Sequence, residues 1–245
     1  MRDVEFLSDH RSGDANGARE LLTSPMYRKY IEKMDLTDDI KVLDIGSNNG
    51  GFPLLLKAEN ISIGQLVCVE LNPNTFVRLQ FNLGLNLNGR FRAFNLGICG
   101  ENRELRVKLG AGSAGDNIYR SADKGDTDQI VIPGKTFDDV YCEVFGEQIV
   151  DLCKIDIEGA EYEVFESETA KSISRCKYLL IEIHHSAERP RKLVLDKLNA
   201  AGFIEIDGEN KVDDLHYVHF LANQELAEGG KTPYQKNADN GASLG

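Results

Sequence analysis

The chain lacks a long hydrophobic run. None of its apolar stretches approaches the roughly 18 residues that span a bilayer. Its first residues, Met1-Arg2-Asp3-Val4-Glu5, have nothing of a signal peptide's apolar core. A soluble, cytoplasmic protein is the expectation. Positive charge is scarce, with 28 Lys and Arg against 40 Asp and Glu, a net charge of −12. A nucleic-acid binder gains much of its affinity by neutralising phosphates and carries a basic face. Here the one compact basic run, Arg189-Pro190-Arg191-Lys192, reads as the solvated start of a helix. Neither nucleic acid nor a membrane is expected as a partner. Paired cysteines are also missing. The five, at 68, 99, 142, 153 and 176, form no C-x-x-C pair, which argues against a zinc site and a disulfide framework. Cys68 and Cys153 sit in apolar runs and read as small core residues. No internal repeat is visible, and the oligomeric state is not legible.

What is present is an alternation. A chain of 245 residues suits one large domain, or one domain with arms. Residues 1–38 read as an N-terminal helical arm, with Leu21, Leu22, Met26, Tyr30 and Ile31 as its apolar positions and a break at Pro25. From there short apolar runs alternate with amphipathic stretches, the pattern of βα units around a mostly parallel sheet. The predicted strands are Lys41–Ile45, Gln65–Glu70, Phe91–Phe94, Val150–Ile155, Tyr178–Ile183, Phe203–Ile206 and Tyr217–Leu221. Glu104–Leu109 and Gln129–Ile132 alternate polar and apolar residues and predict an inserted hairpin. Asn72 and Pro73 predict a helix start, Phe76, Leu79 and Leu83 its buried stripe, and Gly84 its end. The domain is thus placed at 39–221, followed by a polar, Gly-rich tail at 222–245 expected to be disordered.

Three segments carry chemistry. In Val42-Leu43-Asp44-Ile45-Gly46-Ser47-Asn48-Asn49-Gly50-Gly51 an apolar strand runs into a turn of small residues. Glycines let a ligand approach the backbone, and the amides beyond them can meet an anion. Asp44 can accept from a ligand ammonium group or orient the loop. Glu70 ends the next strand, 24 residues after Gly46, where an acidic side chain binds ribose hydroxyls. Together these indicate a nucleoside. The turn lacks the central Gly of G-x-G-x-x-G, and Asp44 would repel a pyrophosphate, so both count against a nicotinamide dinucleotide. The third segment, Lys154-Ile155-Asp156-Ile157-Glu158-Gly159-Ala160-Glu161, puts three carboxylates at a strand end.

With Thr136-Phe137-Asp138-Asp139-Val140 and Leu180-Ile181-Glu182-Ile183-His184, these segments resemble the FkbM family of methyltransferases over about residues 40–221. Ser47 stands where the family usually has Ala, and Phe137 where Leu is usual. The resemblance implies a Rossmann-like α/β class I methyltransferase fold. Its seven-stranded, mostly parallel sheet would carry helices on both faces. It implies S-adenosyl-L-methionine as cofactor, with Asp44, Gly46, Ser47, Asn48 and Gly50 around the methionine end and Glu70 and Leu71 by the ribose. Asn95, Leu96 and Gly97 would border the adenine. It implies O-methylation of a hydroxyl on a sugar, glycan or natural product, a small-molecule or carbohydrate acceptor. The competing readings are a non-catalytic S-adenosylmethionine-binding scaffold and a nicotinamide-dependent oxidoreductase.

Transfer from the sulfonium is an in-line displacement, and alignment alone can supply about 7–11 kcal/mol. An alcohol must also lose a proton, and a positioned base adds about 10²–10⁴-fold. Asp156, Glu158, Glu161, Glu182, His184 and His185 are the candidates. Asp156, Glu158, Glu182 and His184 are the favoured catalytic set, and Asp156 also borders the cofactor. Adjacent residues of a strand point opposite ways, so only one of the two histidines faces the site easily. Asp156, Glu158, Glu182 and His184 also suit a divalent metal such as Mg²⁺ or Mn²⁺, although a metal-free site is the main expectation. The Gly-rich segment 110–128 is a candidate acceptor wall or lid.

Overall fold

The computed structural model describes residues 3–9, 21–109, 116, 118–119, 129–211 and 216–227. Expectations for 10–20, for most of the 110–128 segment and for the tail from 228 onward lie outside these residues.

The main sheet has seven strands. β1 (Ile40–Ile45), β2 (Ile63–Glu70), β3 (Phe91–Asn95), β7 (Val150–Ile155) and β8 (Cys176–His184) run parallel. β10 (His216–Asn223) lies antiparallel between β8 and β9 (Phe203–Lys211). The order is β3-β2-β1-β7-β8-β10-β9. Chain progression reverses direction across the sheet between β1 and β7, which places the switch point there. This is the seven-stranded, mostly parallel Rossmann-like architecture expected from the sequence. A second sheet, ordered β4-β6-β5, joins β4 (Gly97–Ile98), β5 (Arg103–Lys108) and β6 (Gln129–Lys135). The predicted hairpin is the antiparallel β5–β6 pair. β4 is too short to leave a pattern and exists through pairing with Gly134 and Lys135.

Both faces of the main sheet are covered. Leu43, Ile45, Val67 and Val69 point into one core with Phe137 and Tyr141 of α4 (Phe137–Phe145), Tyr162 of α5 (Glu161–Glu166) and Leu198 of α6 (Lys192–Ala200). Val42, Leu66 and Cys68 point into the other, with Tyr30 of α1 (Pro25–Glu32), Phe52 of α2 (Gly51–Ala58) and Leu79 of α3 (Pro73–Leu87). Burial on two sides is why these strands read as unbroken apolar runs. Among the described residues no helix is long and apolar enough to cross a membrane.

The described part of the arm belongs to this second core. Tyr30 is fully buried against Phe220, with ring centroids 5.4 Å apart. Lys29 and Lys33 both pair with Asp207 on β9, and Arg28 pairs with Glu59 at 2.7 Å. The basic run at 189–192 is occupied locally: Arg191 lies 3.4 Å over the Tyr217 ring, and Lys192 pairs with Asp196 along its own helix.

Several boundaries differ from expectation. β9 runs on to Lys211 and β10 to Asn223, and Ala222 and Ala227 are buried in the second core, so residues 222–227 belong to the fold and not to a disordered tail. Helix α3 continues through Gly84 to Leu87. A Cβ on Gly84 would meet nothing within 4 Å, so the glycine weakens the helix by about 1 kcal/mol without ending it. Termination falls to Asn88 and Gly89, both left-handed, at φ 49° and 77°.

Candidate active site

The site lies where the turns after β1, β2 and β7 meet. Gly46 has φ 77°, and a Cβ there would fall 1.6 Å from the carbonyl oxygen of Asp156. Only glycine lets the two turns touch. Asp156 N donates to Ile45 O at 3.0 Å, and Gly46 N and Ser47 N both donate to Val69 O. Asn48 and Gly50 complete the turn with left-handed backbones. Asn48 N donates to Glu70 Oε2 at 2.8 Å, while Asn72 N donates to Glu70 Oε1 at 2.7 Å. Glu70 thus ties two βα turns together, and each carboxylate oxygen retains a second lone-pair direction. Burial lifts its pKa to about 7, against these two hydrogen bonds.

These turns open on a cleft of about 550 Å³, its mouth included. Gly46, Asn48 and Glu70 line one end, and Leu71, Leu96, Gly97, Ile98 and Ile118 form an apolar slot at the side. Asp156, Ile157 and Glu158 line the remainder. Gly97 is sterically required: a Cβ there would fall 2.5 Å from Leu105 Cδ1 and 3.0 Å from Leu71 Cδ1. Four residues expected at the cofactor stand behind this lining. Ser47 donates through Oγ to Asp44 O at 2.7 Å, and Gly50 packs against Leu79 and Leu83. Asn95 donates to the carbonyls of Glu70 and Leu71, both at 2.9 Å, and so holds the end of β2 in place. Asp44 is fully buried beneath the loop. Among the described residues no donor makes a well-formed hydrogen bond to its carboxylate oxygens, Oδ1 lies 3.9 Å from Lys154 Nζ, and burial raises its pKa to about 6 against that ammonium and the Ser47 hydroxyl.

The other half is electrostatic. Asp156, Glu158, Glu161, Glu182 and His184 gather at the ends of β7 and β8. His184 Nε2 lies 3.2 Å from Glu158 Oε2 and 3.9 Å from both Asp156 Oδ1 and Glu182 Oε1. Its Nδ1 lies 3.0 Å from buried Glu161, and its carbonyl accepts from Tyr162 Oη at 2.9 Å. Burial opposes the imidazolium, but the hydrogen bonds to Glu158 and Glu161 and the surrounding charge override it and raise the pKa to about 11. Burial and the charge of Asp156 push Glu182 up to about 8, against His184 and Lys154. Glu158 adopts a left-handed backbone, φ 56°, followed by Gly159 at 101°. Such a conformation strains a non-glycine residue by about 1–3 kcal/mol and is typical of functional turns. His185 points the other way and is exposed.

Asp156, Glu158 and His184 each offer a ligand atom, all within 4.8 Å of one another. A divalent cation would fit these donors, but it would have to displace the imidazolium proton that already faces them.

Three residues of the site carried no assignment from sequence. Lys154 is 2% exposed, with Nζ 3.1 Å from Asp156 Oδ2 and 3.4 Å from Gly46 O. Burial would strip its proton, but Asp156 and Asp44 hold it charged and raise its pKa. A lysine inside the apolar strand Leu152-Cys153-Lys154-Ile155 was the available signal, since lysine is almost never buried unless paired. Tyr27 of α1 is buried close enough to feel the charges of Lys154, Glu182, Asp156 and Asp44, and burial raises its phenol pKa. Asp116 lines the cleft and accepts from Asn72 Nδ2 at 2.8 Å. The sequence makes the segment 110–128 a candidate wall of the site without singling out Asp116 within it.

Comparison with known proteins follows the same residues. A protein from Beauveria bassiana (strain ARSEF 2860) named Methyltransferase 1 is 26% identical over 180 residues, covering 64% of this chain and 72% of that one. Among solved structures, the chain is similar to precorrin-6y C5,15-methyltransferase from Geobacter metallireducens GS-15, at 13% identity and TM-score 0.47, over 89% of this chain and 92% of that chain. It is also similar to M. capricolum TrmK in complex with S-adenosyl-homocysteine, at 11% identity and TM-score 0.48, over 82% and 69%. Both scores fall below 0.5, and the assignment rests on a domain match instead. Residues 44–206 match the methyltransferase FkbM domain, about two-thirds of the sequence and all of the site described above except Tyr27, and the chain belongs to that family of methyltransferases.

Proposed function

We propose that the cleft binds S-adenosyl-L-methionine and that the protein transfers its methyl group to a hydroxyl of a sugar, glycan or other natural product. The observation that carries this reading is the contact between the Gly46 turn and the Asp156 turn. It joins a nucleoside-shaped cleft to a cluster of acid–base groups with no space between for a separate domain. Glu70 would accept from the ribose hydroxyls, and Leu71, Leu96, Ile98 and Ile118 would enclose the adenine. The methionine end would lie over Gly46 and Asn48, directing the methyl toward Asp156.

In the step itself the acceptor oxygen attacks the methyl carbon and the sulfur–methyl bond breaks. The sulfonium becomes a neutral thioether, and the hydroxyl proton passes to a base. His184 is unsuited to that role, because both ring nitrogens face carboxylates and act as donors. Glu182, in the carboxylate cluster 3.9 Å from His184 Nε2 and with its pKa raised by burial and by Asp156, is the base of this reading. His184 then faces Glu158 and Glu161 with its two ring nitrogens, and Lys154 pairs with Asp156. The acidic surface and the small size of the cleft favour a small-molecule or carbohydrate acceptor over nucleic acid.

The test is turnover. Purified protein is incubated with S-adenosyl-L-methionine and a panel of sugars, glycosides and polyketide alcohols, with S-adenosylhomocysteine release and acceptor mass both read. A methylated hydroxyl product supports the reading. Methylation confined to amine acceptors, or cofactor binding without turnover on any acceptor, contradicts the proposed chemistry.

A further inference from the structure

The site just described rests on α3, and α3 holds a second piece of chain. Leu79 and Leu83 lie 3.2 and 3.4 Å from where a Cβ on Gly50 would sit, so this helix supports the cofactor loop from below. Between them is Asn82, which is fully buried. Its Nδ2 donates to Asn49 O in the loop at 2.8 Å and to Leu7 O at 3.0 Å, and its Oδ1 accepts from Leu7 N at 2.6 Å. One turn further on, Asn86 repeats the pattern. Its Oδ1 accepts from Glu5 N at 3.3 Å, and its Nδ2 donates to Glu5 O at 2.6 Å and to Asn82 O at 2.8 Å. Lys57, in the last turn of α2, donates to the same Asn86 Oδ1 at 3.0 Å.

The spacing explains why this pairing works. Four helical residues advance roughly 6 Å. Two extended residues advance roughly 6.7 Å. Asparagines four apart on one helix face can therefore each grip the backbone of alternate residues of an extended segment. Only main-chain atoms are held in this way, and Leu7 itself is half exposed. The two N–H groups of Asn82 are both committed, one to the strap and one to the loop. Its side chain is satisfied only when Glu5–Leu7 is seated and Asn49 holds its present conformation.

We propose that Asn82 is a positioning residue for the cofactor loop, and that the N-terminal segment Glu5–Leu7 acts through it to hold Asn48–Gly50 ready for the cofactor. This rests on the reading of the cleft as a cofactor site, and the test separates the two. S-adenosylhomocysteine affinity is measured by calorimetry for wild type, Asn82→Asp, Leu7→Pro, Leu7→Ser and a protein lacking residues 1–9. Amide exchange at residues 46–51 is measured in the same proteins without ligand.

Asn82→Asp keeps an acceptor for Leu7 N but removes the donors to Asn49 O and Leu7 O. Leu7→Pro removes only the strap's N–H, whereas Leu7→Ser retains it. The expected result is an affinity loss of about tenfold for Asn82→Asp, Leu7→Pro and the truncation, the size of one lost hydrogen bond. Exchange at 46–51 accelerates in parallel, Leu7→Ser stays within about twofold, and truncation adds little to Asn82→Asp. A truncated protein with wild-type affinity and wild-type loop exchange overturns the proposal. Wild type that binds no S-adenosylhomocysteine overturns the reading of the cleft instead, and loop exchange in the ligand-free proteins then decides the strap's role alone.

Discussion

The two halves of the site are built from different materials. The half at β1 and β2 is made of backbone: left-handed residues at 46, 48 and 50, carbonyls and amides paired across turns, and one carboxylate, Glu70, that staples them. The half at β7 and β8 is made of side-chain charge, with His184 among four carboxylates and Lys154 buried below. The first half can be damaged by adding a single methyl group. The second can be damaged only by changing protonation or charge, which leaves the shape intact. Binding and chemistry should therefore separate on mutation.

The largest effect is expected at the contact that joins the halves. Gly46→Ala places a Cβ against the Asp156 carbonyl, and the turn must open. S-adenosylhomocysteine binding and methyl transfer should both fall below detection, with a lower thermal midpoint. Retained binding in this variant would break the distinction drawn between the halves. On the charged side, Glu182→Gln should lower kcat by about 10²–10⁴-fold. Its affinity for S-adenosylhomocysteine should stay within about threefold of wild type. An equal loss in both quantities would mean that Glu182 belongs to cofactor binding.

The pH dependence sharpens the same contrast. A base with a pKa of about 8 must be ionised to act, so kcat should rise with pH through about 8 and then level off. His184 stays protonated up to about pH 11 and should add no inflection between pH 6 and 7. A stability effect is expected at Glu70. Its folded pKa, about 7, lies above the usual carboxylate value, so the unfolded chain loses that proton first as pH rises. Its favourable share of stability is complete below about pH 4.5 and is lost as pH rises through 7. Glu70→Gln should therefore raise the thermal midpoint of the ligand-free protein at pH 8 more than at pH 5, while weakening S-adenosylhomocysteine binding. The smallest effect is expected from EDTA, which should leave activity within about twofold if the imidazolium rather than a metal neutralises Asp156 and Glu158.

The backbone half was the more legible in sequence, because its determinants are local. Glycines in a short turn after an apolar run, and an acid at the end of the next strand, announce their geometry within a few residues. Of the residues the resemblance named, Gly46, Asn48, Glu70, Leu71, Leu96 and Gly97 line the cleft. The exceptions show the limit. Ser47 is spent on a carbonyl of its own turn, Asn95 on the carbonyls of Glu70 and Leu71, and Asp44 is roofed over, none of which spacing can reveal. In the charged half the residue types were evident but their roles were not. The state of His184 depends on which carboxylates face each ring nitrogen, and those come from two separate stretches of chain, 156–161 and β8 itself. Lys154 escaped although a lysine in an apolar strand signalled it, and Tyr27 and Asp116 escaped because the groups they meet are distant in sequence. The same cause hid β4, a two-residue strand created by its neighbour, and the support that Asn82 gives to a segment 75 residues away. The parallel core was legible for the opposite reason, since burial on both faces makes the central strands β1, β2, β7 and β8 mostly apolar.

The most direct test is calorimetric titration of S-adenosylhomocysteine into wild type, Glu70→Ala and Glu182→Gln at pH 7.5. The account predicts micromolar binding to wild type, at least about tenfold weaker binding to Glu70→Ala, and nearly unchanged binding to Glu182→Gln. Absence of binding to wild type, or equal affinity in Glu70→Ala, would contradict the claim that this cleft holds the methyl donor.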